Sequence, residues 1–150
     1  MVMKNEHALR SHCPIASALD VIGDHWTLLV VRDLLLMGKH EYREFLQSEE
    51  GISSNILSDR LNRLQRTGLL AWIPHPRNRR RKLYYLTTSG KDLIHVLIPV
   101  ARWAHKHVGA DFKVPEPHRS AIEHNAGTLI QSVFSELTRW EQQYGVQQNR

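Results

Sequence analysis

Cysteine is nearly missing from this sequence: Cys13 is the only one in 150 residues. An intrachain disulfide framework is therefore excluded, and the composition fits a reducing compartment. Long apolar runs are missing too, since no stretch approaches the ~20 residues a membrane-spanning helix needs. The leading segment "MVMKNEHALRSHCPIASALD" has no continuous apolar core of the kind that directs export. A cytoplasmic chain without a membrane partner is expected. The ten histidines form no His-x-x-x-His pair, and His105 and His107, two apart, point in different directions on a helix. No metal site and no cofactor is expected. Arg32 and Asp33 interrupt an apolar segment, but no nucleophile, base and orienting group accompany them, so the chain does not read as an enzyme and no catalytic residue is assigned.

What is present in excess is positive charge, and it is concentrated. Net charge is +5, yet the stretch from Asp59 to Lys82 holds eight basic residues against one acid. That stretch alone carries +7, which leaves −2 for the rest of the chain. Within "IPHPRNRRRKLYYLTTSG", residues 73 to 90, five of the six positions from Arg77 to Lys82 are basic, after which the pattern turns into alternating Leu and Tyr. Crowded like charges repel one another, so such a stretch destabilises a fold unless a polyanion offsets it. Nucleic acid is the commonest partner of that kind. With 41% hydrophobic and 23% charged residues, the chain is otherwise an ordinary globular domain, long enough to bury a core.

Hydrophobic spacing places the elements. "CPIASALDVIG" reads as a short amphipathic helix with Pro14 at its first position and Ile15, Ala18, Leu19 and Ile22 on one side. "HWTLLVVRDLLLMG" is apolar nearly all round and reads as the central buried helix, closed by Gly38. "EYREFLQS" is a helix of one or two turns. In "GISSNILSDRLNRLQRTGLL", Ser53 or Ser54 can cap a helix with Leu57, Leu61 and Leu64 inward and Gly68 as its stop. Its opposite face is polar throughout. "LLAWI" and "KLYYLT" have strand composition and flank the basic tip "PHPRNRRR", with Pro74 and Pro76 marking the turn out of the first strand. Helical spacing resumes over 88–109, where Pro99 is expected to kink or split the helix. A linker at "VPEP" precedes one further helix from about His118 to Tyr144, whose stripe of Ile122, Ala126, Leu129, Val133, Leu137, Trp140 and Tyr144 must pack on something.

This order is that of a winged helix-turn-helix: mainly α with a small β-hairpin, followed by C-terminal helices suited to dimerisation. A helix about 10 to 12 Å across fits the major groove, and a cationic hairpin beside it lies over the backbone or enters the minor groove. Ser54, Asn55, Ser58, Asp59 and Asn62 are then the candidates for base edges. Arg60, Arg63, Arg66, Arg77, Arg79, Arg80, Arg81 and Lys82 are the candidates for phosphates or a narrow minor groove. The expected partner is double-stranded DNA. The alternative is a winged-helix module whose basic wing serves a protein or RNA partner, although the aromatic platforms of single-strand binders are lacking. A homodimer is expected, because one recognition helix reads only a few base pairs while two related by a dyad read paired half-sites.

"CPIASALDVIGDHWTLLVVRDLL", "GISSNILSDRLNRLQRTGLL" and "RKLYYLTTSGKDL" resemble the HxlR-type transcription regulators, relatives of the MarR group. The resemblance covers about residues 13 to 109. It implies a winged-helix DNA-binding domain over 1–112 that includes a dimer-type helix, with 113–150 as linker and helical extension. It further implies a homodimer formed through the terminal helices and binding a palindromic operator as repressor or activator, and it puts Arg81 at the place of a wing arginine. His25 departs from the family's usual Lys or Arg, and the helix after 117 runs past its usual core. Cys13 precedes Pro14 at a helix start, where the helix dipole favours a thiolate and Arg10 is nearby. Some relatives sense oxidants or electrophiles through a cysteine at this place, so Cys13 is the candidate redox-sensing residue, with an oxidant or small-molecule effector as the implied input. A small packed cysteine at a helix start is the other reading.

Overall fold

The computed structural model describes residues 11–109 and 116–148. Eight helices and one hairpin follow in the order α1 (Pro14–Ile22), α2 (Thr27–Leu36), α3 (Tyr42–Leu46), α4 (Ser54–Arg66), β1 (Leu70–His75), β2 (Asn78–Leu86), α5 (Thr88–Lys91), α6 (Ile94–His107), α7 (His118–His124) and α8 (Ala126–Tyr144). As its composition requires, α2 is buried nearly all round, with Val30, Val31, Leu34, Leu35 and Leu36 in the core. It packs against α6, α8 and β2. Leu57, Leu61 and Leu64 turn α4 inward onto the same core, and Ser53 is its cap, accepting from the Ile56 amide at 3.3 Å. Gly68 follows in the left-handed region, at φ 76°, which lets the chain reverse sharply into β1.

The hairpin is antiparallel, with Leu70 opposite Leu86 and Pro74 opposite Lys82, and it carries an irregularity between Pro74 and His75. Two expectations change here. Pro74 lies within β1, so only Pro76 is in the turn, and β2 begins at Asn78. The cations at 79 to 82 are thus spread along a strand instead of crowding a loop. Proline is tolerated because a two-stranded sheet leaves each strand one unpaired edge.

The C-terminal half departs further from expectation. Pro99 does not split its helix: α6 runs through it, and the break falls earlier, at Asp92 and Leu93. Pro99 and His95 are both exposed, so water can satisfy the carbonyl that loses its partner. The single helix expected over 118–144 is interrupted at Asn125, whose side chain accepts from the Thr128 amide at 3.2 Å and starts α8 anew. Most consequential is where α8 docks. Ile122, Leu129, Val133 and Leu137 are buried in the same core as α2 and α4, so the stripe expected to serve a partner chain packs within its own. By contrast, the apolar side of α1 stays out: Ile15 and Leu19 are 70% and 60% exposed, and only Ile22 is buried. Among the described helices, no single one is long and apolar enough to cross a membrane.

Candidate nucleic-acid interface

Because Leu57, Leu61 and Leu64 point inward, the polar residues between them point out. Ser54, Asn55, Ser58, Asp59 and Asn62 are all exposed along α4. At the near end of this face stands Tyr42, on α3, whose hydroxyl donates to the Ser54 carbonyl at 3.0 Å and shares a 3.0 Å hydrogen bond with the Ser58 hydroxyl. The same Tyr42 lines an open cleft of about 480 Å³ with Glu41, Arg43, Arg80, Arg81, Lys82 and Tyr84. The groove-sized helix and the cationic strand therefore meet over one tyrosine.

On the wing, Arg77, Arg79, Arg80 and Lys82 are exposed. The turn that presents them is shaped locally: the Arg77 amide donates to His75 Nδ1 at 3.1 Å, and the Arg80 amide to Asn78 Oδ1 at 3.2 Å. Lys82 places Nζ 4.4 Å from the centroid of the Trp72 ring, a cation–π contact that holds its stem against β1. Arg81 is different. Its Nη2 donates to both oxygens of Glu41, and that carboxylate also takes Arg43 Nε at 3.1 Å. Burial is the largest single influence and opposes the charge on Glu41, but the hydrogen bonds and charges of Arg81 and Arg43 together outweigh it and hold the carboxyl below its usual value. Among the described residues only Nη2 of Arg81 is hydrogen-bonded, and the side chain also lines the cleft.

Two of the expected phosphate ligands are redirected. Arg60 Nε donates to Asp24 Oδ1 at 2.7 Å and Nη1 pairs with Asp59. Arg63 Nη2 donates to the Asp20 carbonyl. Both side chains tie α4 back to α1 and to the turn before α2 instead of projecting toward a ligand. Arg66 is exposed in the last turn of α4. Asp24, the receiving carboxylate, also accepts the amides of Trp26 and Thr27 at 2.9 and 3.0 Å and the Thr27 hydroxyl. Burial works against its ionisation, yet these bonds prevail and bring its carboxyl down to about 2.

Glu41 and Tyr42 were invisible as site residues in the sequence. The one available signal was the pair Glu41 and Glu44, which forms a capping box at the start of α3. Elsewhere the isolated polar pair of α2 is fully satisfied. Asp33, buried, accepts from Arg32 at 2.8 Å and from Lys39 at 3.1 Å, and Arg32 reaches on to Glu50 at 2.6 Å. Cys13 is the residue that precedes the first turn of α1, and it is exposed, not packed; Arg10 lies outside the described residues. Among the described residues no group of three or more His, Cys, Asp or Glu is placed to hold a metal ion.

Residues 21–112 match the model of the HxlR-like helix-turn-helix family. The chain belongs to the HxlR-like family. An uncharacterised HTH-type transcriptional regulator of Mycobacterium tuberculosis, Rv3095, is 30% identical over 120 residues, which is 77% of this chain and 73% of Rv3095. Among solved structures, PA1607, described as a candidate transcription factor, shares 35% identity at a TM-score of 0.60 over 65% of this chain and 67% of its own. The reduced form of the transcriptional regulator YodB from Bacillus subtilis shares 25% identity at a TM-score of 0.53, over 65% of this chain and 95% of YodB. This HxlR-like protein is a DNA-binding transcription regulator of winged-helix architecture. The family thereby gives the protein a partner class, DNA.

Proposed function

We propose that this regulator acts in the cytoplasm as a homodimer on a palindromic operator, with α4 in the major groove and the wing on the adjacent backbone or minor groove. The carrying observation is the convergence at Tyr42, where the exposed face of α4 and the cationic cleft of β2 share one wall. Ser54, Asn55, Ser58, Asp59 and Asn62 face base edges. Arg77, Arg79, Arg80, Lys82 and Arg66 meet phosphates, and Arg81 offers its remaining nitrogens while Glu41 holds it. Arg60 and Arg63 set the angle of α4 from behind.

The homodimer reading is supported by apolar surface left uncovered. Leu19 on α1 and Trp103 on α6 are 60% and 62% exposed, and Ile15, Val100 and Val108 are likewise open. Side chains of this size in water are what a subunit interface covers. Cys13 sits at the start of α1, so an oxidant acting there, through a mixed disulfide with a small thiol or with a second chain, would reach the dimer surface directly. Selecting bound duplexes from a random pool and then measuring fluorescence anisotropy tests the assignment. Asn55→Ala is expected to change the preferred base at one or two positions. Arg79→Ala with Arg80→Ala is expected to weaken every duplex alike and to reduce the salt slope by roughly three to four for a dimer. Equal or tighter binding to single strands or RNA, or affinity untouched by both changes, would overturn it.

A further inference from the structure

Helix α8 lies beyond residues 21–112, the stretch that matches the family, yet its far end reaches the foot of the wing. Trp140 lays its indole on the His40 ring, with centroids 3.8 Å apart and planes 7° from parallel. His40 is itself bound to β2: its Nδ1 is 2.8 Å from the Tyr84 carbonyl, and its own carbonyl accepts from the Tyr84 amide at 2.8 Å. Two residues along the strand, Gln148 Nε2 donates to the Leu86 carbonyl at 2.9 Å and to Glu141 at 3.1 Å. Glu141 is anchored in turn by Lys91, at 2.5 Å.

These contacts differ from ordinary core filling. Leu129, Val133 and Leu137 already bury α8 against the body, whereas Trp140 and Gln148 act on backbone atoms of β2 and on the segment that pairs with them. A two-stranded hairpin is marginally stable alone, so its angle is set where it joins the body. The lever is long. With about 3.3 Å per residue, Arg79 lies roughly 20 Å along the strand from Tyr85, so a tilt of about 10° at the foot would shift its guanidinium by roughly 3.5 Å. A displacement of that size removes a hydrogen bond to a phosphate.

We propose that α8 is a buttress that fixes the angle of the wing over DNA, and that Trp140 and His40 are positioning residues for duplex binding. The inference rests on the reading above that the wing meets phosphates. Anisotropy titrations of the full chain on a mixed-sequence duplex, over a series of salt concentrations, test it with Trp140→Ala, Trp140→Phe, Gln148→Ala, Arg80→Ala and the Trp140→Ala, Arg80→Ala double variant. Trp140→Ala is expected to keep its helical circular dichroism, to lose about tenfold in affinity, and to lower the salt slope as Arg80→Ala does. Trp140→Phe, which keeps a stacking ring, is expected to stay within about twofold, and Trp140→Ala is expected to cost less affinity in the Arg80→Ala background, where the wing has one phosphate contact fewer to misplace, than in the wild type. A folded Trp140→Ala with an unchanged salt slope overturns the buttress. Should Trp140→Ala lose its helicity, Gln148→Ala, which removes the bond at the foot of the strand together with the one to Glu141, decides on the same criteria. If Arg80→Ala itself leaves the slope unchanged, the phosphate reading falls and this inference with it; if only the Trp140 and Gln148 variants are silent, the buttress alone falls.

Discussion

Replacing Asp24 by Asn probes the tie that holds the recognition helix to its scaffold. The Asp24 carboxyl is held at about 2 against an ordinary 3.8, which corresponds to roughly 2.5 kcal/mol of folding free energy at neutral pH. Its side chain is only partly buried, so solvent screening lowers this figure. Asparagine keeps an acceptor for the Trp26 and Thr27 amides but loses the charge that faces Arg60, so the expected loss is on the order of 1 to 2 kcal/mol. The sign of the pH dependence follows from the depressed value. Ionised Asp24 stabilises the fold fully above about pH 4, has lost about half of its contribution by about pH 3, and loses the rest as pH falls through about 2. Urea unfolding followed by tryptophan fluorescence, at one fixed protein concentration, measures the gap between the wild type and Asp24→Asn at neutral pH and near pH 3. The gap is expected to shrink by about half. An equal gap at both pH values, or none at neutral pH, refutes the claim that an ionised Asp24 paired with Arg60 stabilises this fold.

Changing Leu19 to Asp places a charge on the open side of α1; under the proposed homodimer, sedimentation is expected to show a dimer for the wild type and a monomer for Leu19→Asp, with circular dichroism unchanged. Gly90→Ala brings a methyl group to 2.1 Å from the Leu69 carbonyl, so backbone must move, and a loss of roughly 1 to 3 kcal/mol in urea unfolding is expected. Leu57→Ala, at a fully buried position, is expected to cost about 2 to 5 kcal/mol by the same measurement.

Much of the candidate interface was readable because it depends on local pattern. A helix with leucines four and three apart buries that side wherever it packs, so the polar side of α4 is exposed almost by default. The wing was likewise written in composition, with aromatic and β-branched residues flanking a cationic run. The structure adds what the sequence did not show where a side chain's partner is remote. Arg60 meets Asp24 from 36 residues away and Arg63 meets Asp20 from 43 away, and nothing in the local charge pattern separates these two arginines from Arg79 or Arg80. Glu41 and Tyr42 carried no signal of their own beyond a capping box, yet they join α4 to the wing.

The sequence by itself determined the first four helices, the hairpin, the buried leucines of α4 and the concentration of charge between Asp59 and Lys82, because periodicity, capping and like-charge crowding are properties of neighbours along the chain. Only the tertiary structure decided which apolar stripe is buried within the chain and which is left exposed. An amphipathic face demands burial without naming its partner, so α1 and α8 looked alike until the fold buried Leu129, Val133 and Leu137 and left Ile15 and Leu19 in water.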